Sequence, residues 1–189
     1  MKHEFNSAMA FSKFYLQQNY DFDGEIAIDA TVGNGYDTEW LLQAVGETGH
    51  VHGFDIQQEA LRATKKRLES SKKMTLHLDG HENLLKYGFQ EIACVLYNLG
   101  YLPRGDKSIS TQGKTTIQSI HAASEILKVG GVIMILAYPG HESGCLECQC
   151  VETHLGTYDQ RKFQTWKFTF LNQKNDPPVL YGLEKRRTL

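Results

Sequence analysis

No stretch of this 189-residue chain approaches the roughly 20 consecutive apolar residues that a membrane-spanning helix requires, so no membrane partner is expected. A secretory leader is not expected either, because Met1, Lys2, His3 and Glu4 run into an amphipathic segment; the expected location is the cytoplasm. No excess of one charge is present, with 20 Lys and Arg against 22 Asp and Glu. A nucleic-acid partner would therefore need a local basic patch. Cysteine is scarce, at four residues. Cys94 sits in an apolar run, and Cys145, Cys148 and Cys150 crowd together where a structural zinc site would want two separated pairs; no metal is expected. Repeats, low-complexity tracts and linkers are missing too. One domain over 1–189 is expected, with a leading helix in 1–20, a core over 25–140 and a closing helix and strands over 141–189.

What is present is an alternation of short apolar runs with helical spacing, the mark of a parallel sheet with crossover helices. Strands are expected at 25–31, 50–56, 74–79, 92–99 and 132–137. Helices are expected near 36–45, 58–70, 81–86, 115–127 and 145–155, with closing strands at 164–171 and 179–184. The run Ile92-Ala93-Cys94-Val95-Leu96 suits a central strand buried on both faces. Residues 100–114 have loop composition and exceed the usual connection length, which favours a functional role.

The first strand ends in Asp29 and runs into a turn holding Gly33, Asn34 and Gly35, followed by Asp37 on the next helix. Glycines there allow backbone to approach a ligand at a helix N-terminus, although an ordinary strand–helix turn would use them as well. The third glycine of the dinucleotide fingerprint is absent, since Thr38 occupies its place. Asp55 closes the second strand, twenty residues after Gly35, where a carboxylate can accept hydrogen bonds from both ribose hydroxyls of an adenosine; capping the next helix is its other reading. Acidic Asp29 and Asp37 beside the turn disfavour a pyrophosphate and suit the ammonium and sulfonium of S-adenosylmethionine. His81, after Gly80, is placed to reach the adenine. At the end of the fourth strand, Asn98-Leu99-Gly100-Tyr101 stands where an amide oxygen and backbone carbonyls could aim the lone pair of a nitrogen nucleophile at a methyl group. A strand-ending turn would also account for it.

Together DATVGNGYDT, FDIQ, DGH, NLGYLPRGDKSI and AYPGHESG resemble the small bacterial methyltransferases labelled rRNA methylases, over nearly the whole chain. That resemblance implies a Rossmann-like class I methyltransferase fold, a mostly parallel seven-stranded α/β sheet with helices on both faces. It further implies methylation of 5-aminomethyl-2-thiouridine at the wobble position of tRNA, as members from Gram-positive bacteria perform. By the same resemblance Asn34, Asp37, Asp55, Gln57 and His81 would contact the cofactor. Asn98, Tyr101 and the turn from Tyr138 to His141 would face the modified base. Arg104 stands where the family carries a small residue, commonly glycine. His141 is the first candidate for a general base. Arg104 and Lys107, on the long loop, are candidate contacts to an anticodon stem-loop. Lys65, Lys66 and Arg67 read as a solvated helix face. Methylation of ribosomal RNA or of a small amine, a nucleic-acid-binding module with a vestigial pocket and an NAD-linked oxidoreductase are the rival readings; a homodimer stays open.

Overall fold

A computed structural model describes residues 6–69, 71–100 and 111–186. Helix α1 (Ala8–Asn19) leads into β1 (Ile26–Asp29), α2 (Tyr36–Ala44), β2 (His50–Asp55), α3 (Gln58–Arg67) and β3 (Met74–Leu78). A 3-10 helix (His81–Tyr87) follows, then β4 (Ile92–Asn98), α4 (Gly113–Ile126), β5 (Leu127–Ala137), α5 (Glu142–Leu155), β6 (Phe163–Phe168) and β7 (Val179–Lys185). The seven strands form one sheet in the order β3-β2-β1-β4-β5-β7-β6. Strands β1 to β5 pair in parallel, and β7 lies antiparallel between β5 and β6. This is the doubly wound α/β architecture expected from the alternation of elements.

Alternation along the strands builds two cores. Val95, Tyr97, Ile133 and Ile135 face α4 and α5, where Ile120, Ala123 and Val151 complete one cluster. Cys94, Leu96, Val132 and Met134 point the other way, towards Leu16 of α1 and Leu41 and Leu42 of α2. Strands covered on both faces must be apolar throughout, which is why β4 shows no polar alternation. None of the described helices is long and apolar enough to cross a membrane.

Of the boundaries that differ from expectation, two have a clear local cause. Strand β5 begins at Leu127, five residues before the expected start, because Leu127 already pairs with Ile92 and the register then shifts at Cys94. Gly130, at φ 80°, accommodates that irregularity. Helix α5 begins at Glu142 because the side chain of His141 caps it, accepting a hydrogen bond from the Gly144 N–H at 2.8 Å.

The chain reverses its winding direction at β1: the connection to β2 moves one way across the sheet, and β4 lies on the other side. Ligand crevices of open parallel sheets form outside the carboxyl ends of the strands at such a switch point.

Candidate active site

A cleft of about 1800 Å³ opens at that point. Its floor is made by the ends of β1, β2, β3 and β4. The glycine turn after β1 is held in place by backbone geometry and by Asp55. Gly33 and Gly35 have φ of 50° and 80°. A Cβ on Gly35 would stand 2.7 Å from Thr64 Oγ1. Only glycine satisfies both demands there.

Asp55 Oδ2 accepts the Gly33 N–H at 2.9 Å, and Oδ1 accepts the Gln57 N–H at 2.8 Å. The carboxylate thus ties the turn to the end of β2 and still has lone pairs for further donors. Burial pushes its carboxyl above the ordinary range, while the N–H groups of Gln57 and Gly33 pull it part of the way back.

His81 is buried at the start of the 3-10 helix, edge-on to Tyr97 with ring centroids 5.7 Å apart. Burial drives its imidazole down to about 4, so the ring is neutral at pH 7. Its Nδ1 is buried and has no hydrogen-bond partner among the described residues, Glu82 Oε2 lying 3.8 Å away, and the residue borders the cleft. A polar atom left in that condition suits a ligand that supplies the missing partner.

At the end of β4, Asn98 is held from three sides. Its N–H donates to Thr31 Oγ1 at 2.7 Å, its Nδ2 donates to Asp37 Oδ2 at 3.2 Å, and its Oδ1 accepts the Tyr138 hydroxyl at 2.9 Å. Lys13 of α1 completes the chain with an ion pair to Asp37 Oδ1 at 2.9 Å. A carboxylate only accepts, so Asp37 dictates which end of the amide carries the nitrogen. Burial and the charge of Asp37 push the Tyr138 hydroxyl up to about 12, keeping it a donor. The carbonyl oxygen of Asn98 is therefore oriented, with one lone pair engaged by Tyr138.

The strand end beyond Asn98 is braced as well. Gly100, at φ 125°, donates its N–H to Thr111 Oγ1 at 2.8 Å and accepts the Thr111 N–H at 3.0 Å. Buried Glu147 of α5 receives the hydroxyls of Thr111 at 2.8 Å and Thr116 at 2.6 Å.

Of the expected cofactor residues, Gly33, Asn34, Asp37, Asp55, Gln57, Gly80 and His81 border this one cleft, and so does Asn98. Leu99, Gly100, Tyr138 and His141, expected at the acceptor, border it too. Asp29 and Gly35 do not. Asp29 is 1% exposed and lies beneath the turn, taking the Thr38 hydroxyl at 2.6 Å and the Thr31 N–H at 3.1 Å. From that place it braces the turn from below and does not line the cleft. Tyr101, Arg104 and Lys107 lie outside the described residues. His141 spends its Nδ1 lone pair on the α5 cap, which places the proton of the neutral ring on Nε2. A base at this position would have to release the cap. Lys66 and Arg67 line the cleft instead of standing on a wholly solvated face.

Lys13, Thr31, Thr111 and Glu147 carried no signal in the sequence. The hydrogen bonds that Thr31 and Glu147 make at the site span 31 to 67 residues of sequence, and Lys13 comes from a different layer.

Asp29 gives the site a measurable pH signature. Burial, and then the charge of Asp37, raise its carboxyl to about 7, against opposing hydrogen bonds from Thr38 and Thr31. The folded state therefore holds this proton more tightly than the unfolded chain does. Its stabilising contribution is complete below about pH 4 and is lost as pH rises through about 7. Denaturant titrations of the ligand-free protein should show stability declining over that window, and Asp29→Asn should flatten the decline. An identical slope in the variant would assign the pH dependence elsewhere.

A family model described as "Putative rRNA methylase" matches residues 51–184. A chloroplastic tRNA (mnm5s2U34)-methyltransferase from Arabidopsis thaliana is 36% identical over 178 residues, covering 86% of this chain and 64% of that relative. This chain thus spans less than two thirds of the curated relative. Among solved structures, a "putative rRNA-methylase" from Clostridium thermocellum superposes with a TM-score of 0.91 at 42% identity, covering 95% of this chain and 98% of the other. A "putative methyltransferase" from Streptococcus mutans, solved in complex with SAH, has a TM-score of 0.84 at 36% identity, covering 94% of this chain and 97% of the other.

Proposed function

This chain belongs to the rRNA methylase family, and from that premise we propose that it methylates an RNA amine with S-adenosylmethionine as donor. The amine is that of 5-aminomethyl-2-thiouridine at the tRNA wobble position, and the product is 5-methylaminomethyl-2-thiouridine. The observation that carries this reading is the convergence of Asp55 and Asn98 in one cleft, from the carboxyl ends of strands on opposite sides of β1. The tRNA activity in the name of the Arabidopsis relative favours tRNA over ribosomal RNA.

The residues present fit the donor. Asp55 offers two carboxylate oxygens to the ribose hydroxyls, and His81 Nδ1, which makes no hydrogen bond among the described residues, suits a polar group of the adenine. Asp37 offers negative charge to the ammonium of the methionine moiety, shared with Lys13. The bound donor supplies a methyl group on a sulfonium, already activated for transfer.

What remains for the protein is to present the nucleophile. An aliphatic amine resembles lysine, with a reference pKa of about 10.4, and only its free base attacks. The oriented carbonyl of Asn98 accepts one N–H of the neutral amine and so fixes the direction of its lone pair. Tyr138 and Asp37 hold Asn98 in that orientation; Lys13 holds Asp37 in turn. His141 caps α5 and borders the same cleft.

Deletion of the gene should leave 5-aminomethyl-2-thiouridine in digests of total tRNA, and the purified protein should convert it in vitro. An unchanged nucleoside profile, with methylation found on ribosomal RNA or a free amine instead, would move the substrate to that rival class.

A further inference from the structure

We propose that Tyr36, backed by Arg67, is a stacking platform for an unpaired nucleobase next to the nucleotide being methylated; this rests on the RNA reading above. Tyr36 is the first residue of α2 and is 61% exposed, so packing of the fold does not account for an aromatic ring there. The Arg67 guanidinium carbon lies 3.8 Å from the ring centroid. That guanidinium is itself tethered: Nε donates to the Asn34 carbonyl at 3.0 Å, and Nη1 to Glu39 Oε2 at 3.2 Å. One face of the ring is therefore backed by a fixed planar cation, and the exposure of the residue leaves the other face to solvent.

A rigid aromatic ring with one open face and a cation behind it is the arrangement on which single-stranded bases stack. Its position suits a neighbour of the target. The adjacent residue, Asp37, points inward and bonds Asn98, so the ring stands on the rim one residue from the acceptor site. Exposed Lys66, also on the cleft wall, supplies a cation for the intervening phosphate. The groups assigned to the donor's adenosine, Asp55 and His81, come from β2 and the 3-10 helix, whereas Tyr36 stands on α2.

The test separates this site from the methyl-transfer reading. Wild-type protein, Tyr36→Leu and Tyr36→Trp are compared in three measurements: anisotropy of a labelled single-stranded anticodon-loop oligonucleotide, calorimetry with S-adenosylhomocysteine, and methyl transfer to tRNA. The leucine variant should bind the oligonucleotide about tenfold more weakly and show a matching rise in KM for tRNA. Its kcat and its affinity for S-adenosylhomocysteine should stay within about twofold. The tryptophan variant should restore oligonucleotide binding, which apolar bulk alone would not require. Wild-type oligonucleotide affinity in the leucine variant overturns the platform while leaving methyl transfer intact. A parallel loss of S-adenosylhomocysteine binding also overturns it, by making the ring a donor contact. Failure of the wild-type protein to methylate any RNA strikes instead at the reading on which the proposal rests, and the oligonucleotide arm still judges Tyr36 by itself.

Discussion

Replacing Asp55 with alanine is expected to weaken binding of S-adenosylmethionine about 100-fold, corresponding to about 2.7 kcal/mol. Two losses combine. The ribose hydroxyls lose a charged acceptor, worth about 1.5–3 kcal/mol for a hydrogen bond to an ionised group. The Gly33 and Gln57 N–H groups lose the carboxylate that joins them, so the glycine turn is no longer tied to the end of β2. The conservative replacement is expected to do little better. Both carboxylate oxygens already accept backbone N–H groups, so Asp55→Asn must turn an NH2 donor against one of two donors. Calorimetry on both variants checks this, with thermal unfolding as a control. Cofactor affinity unchanged in Asp55→Ala would remove the ribose assignment.

The second large effect is expected at Asn98, and on rate instead of affinity. Asn98→Ala should lower the single-turnover rate of methyl transfer by about 10²–10³-fold, the range found when one preorganised polar group at a reacting centre is removed. Affinity for the donor should change by no more than about threefold, a free-energy difference below about 0.7 kcal/mol. The side chain is held by Asp37 on one side and Tyr138 on the other, so its contribution is an oriented carbonyl. Asn98→Asp would set two carboxylates against each other across the 3.2 Å now bridged by the amide, and should be as inactive as the alanine variant. Tyr138→Phe removes only one of the two restraints and should cost about 3–10-fold in rate, of the order of one neutral hydrogen bond. A single-turnover rate in Asn98→Ala equal to wild type would exclude the amide from positioning the nucleophile.

Much of this molecule is readable along the chain because the chemistry is local there. Hydrophobic runs at strand period between stretches at helical period specify a parallel sheet with crossover helices, and the seven strands fall close to their expected places. The glycine turn, Asp55 and Asn98 were legible for a related reason. Parallel strands all end on the same edge, so a polar residue closing an apolar run lies at the ligand crevice wherever the strand sits in the sheet.

Tertiary structure decided what the neighbours of those residues are. Asp29 has the same composition signal as Asp37 and a place one turn away, yet it is buried under the loop while Asp37 faces Asn98. Lys13 becomes part of the site because α1 packs across the sheet, and Glu147 because α5 brings its carboxylate to the threonines at the foot of the long loop. His141 shows the same division: its motif placed it at the cleft, but only the course of the backbone shows that it caps α5 with the nitrogen a base would use. Periodicity reports which face of an element is dry. Which partner occupies that face depends on contacts between segments far apart in the chain, and no local pattern encodes them.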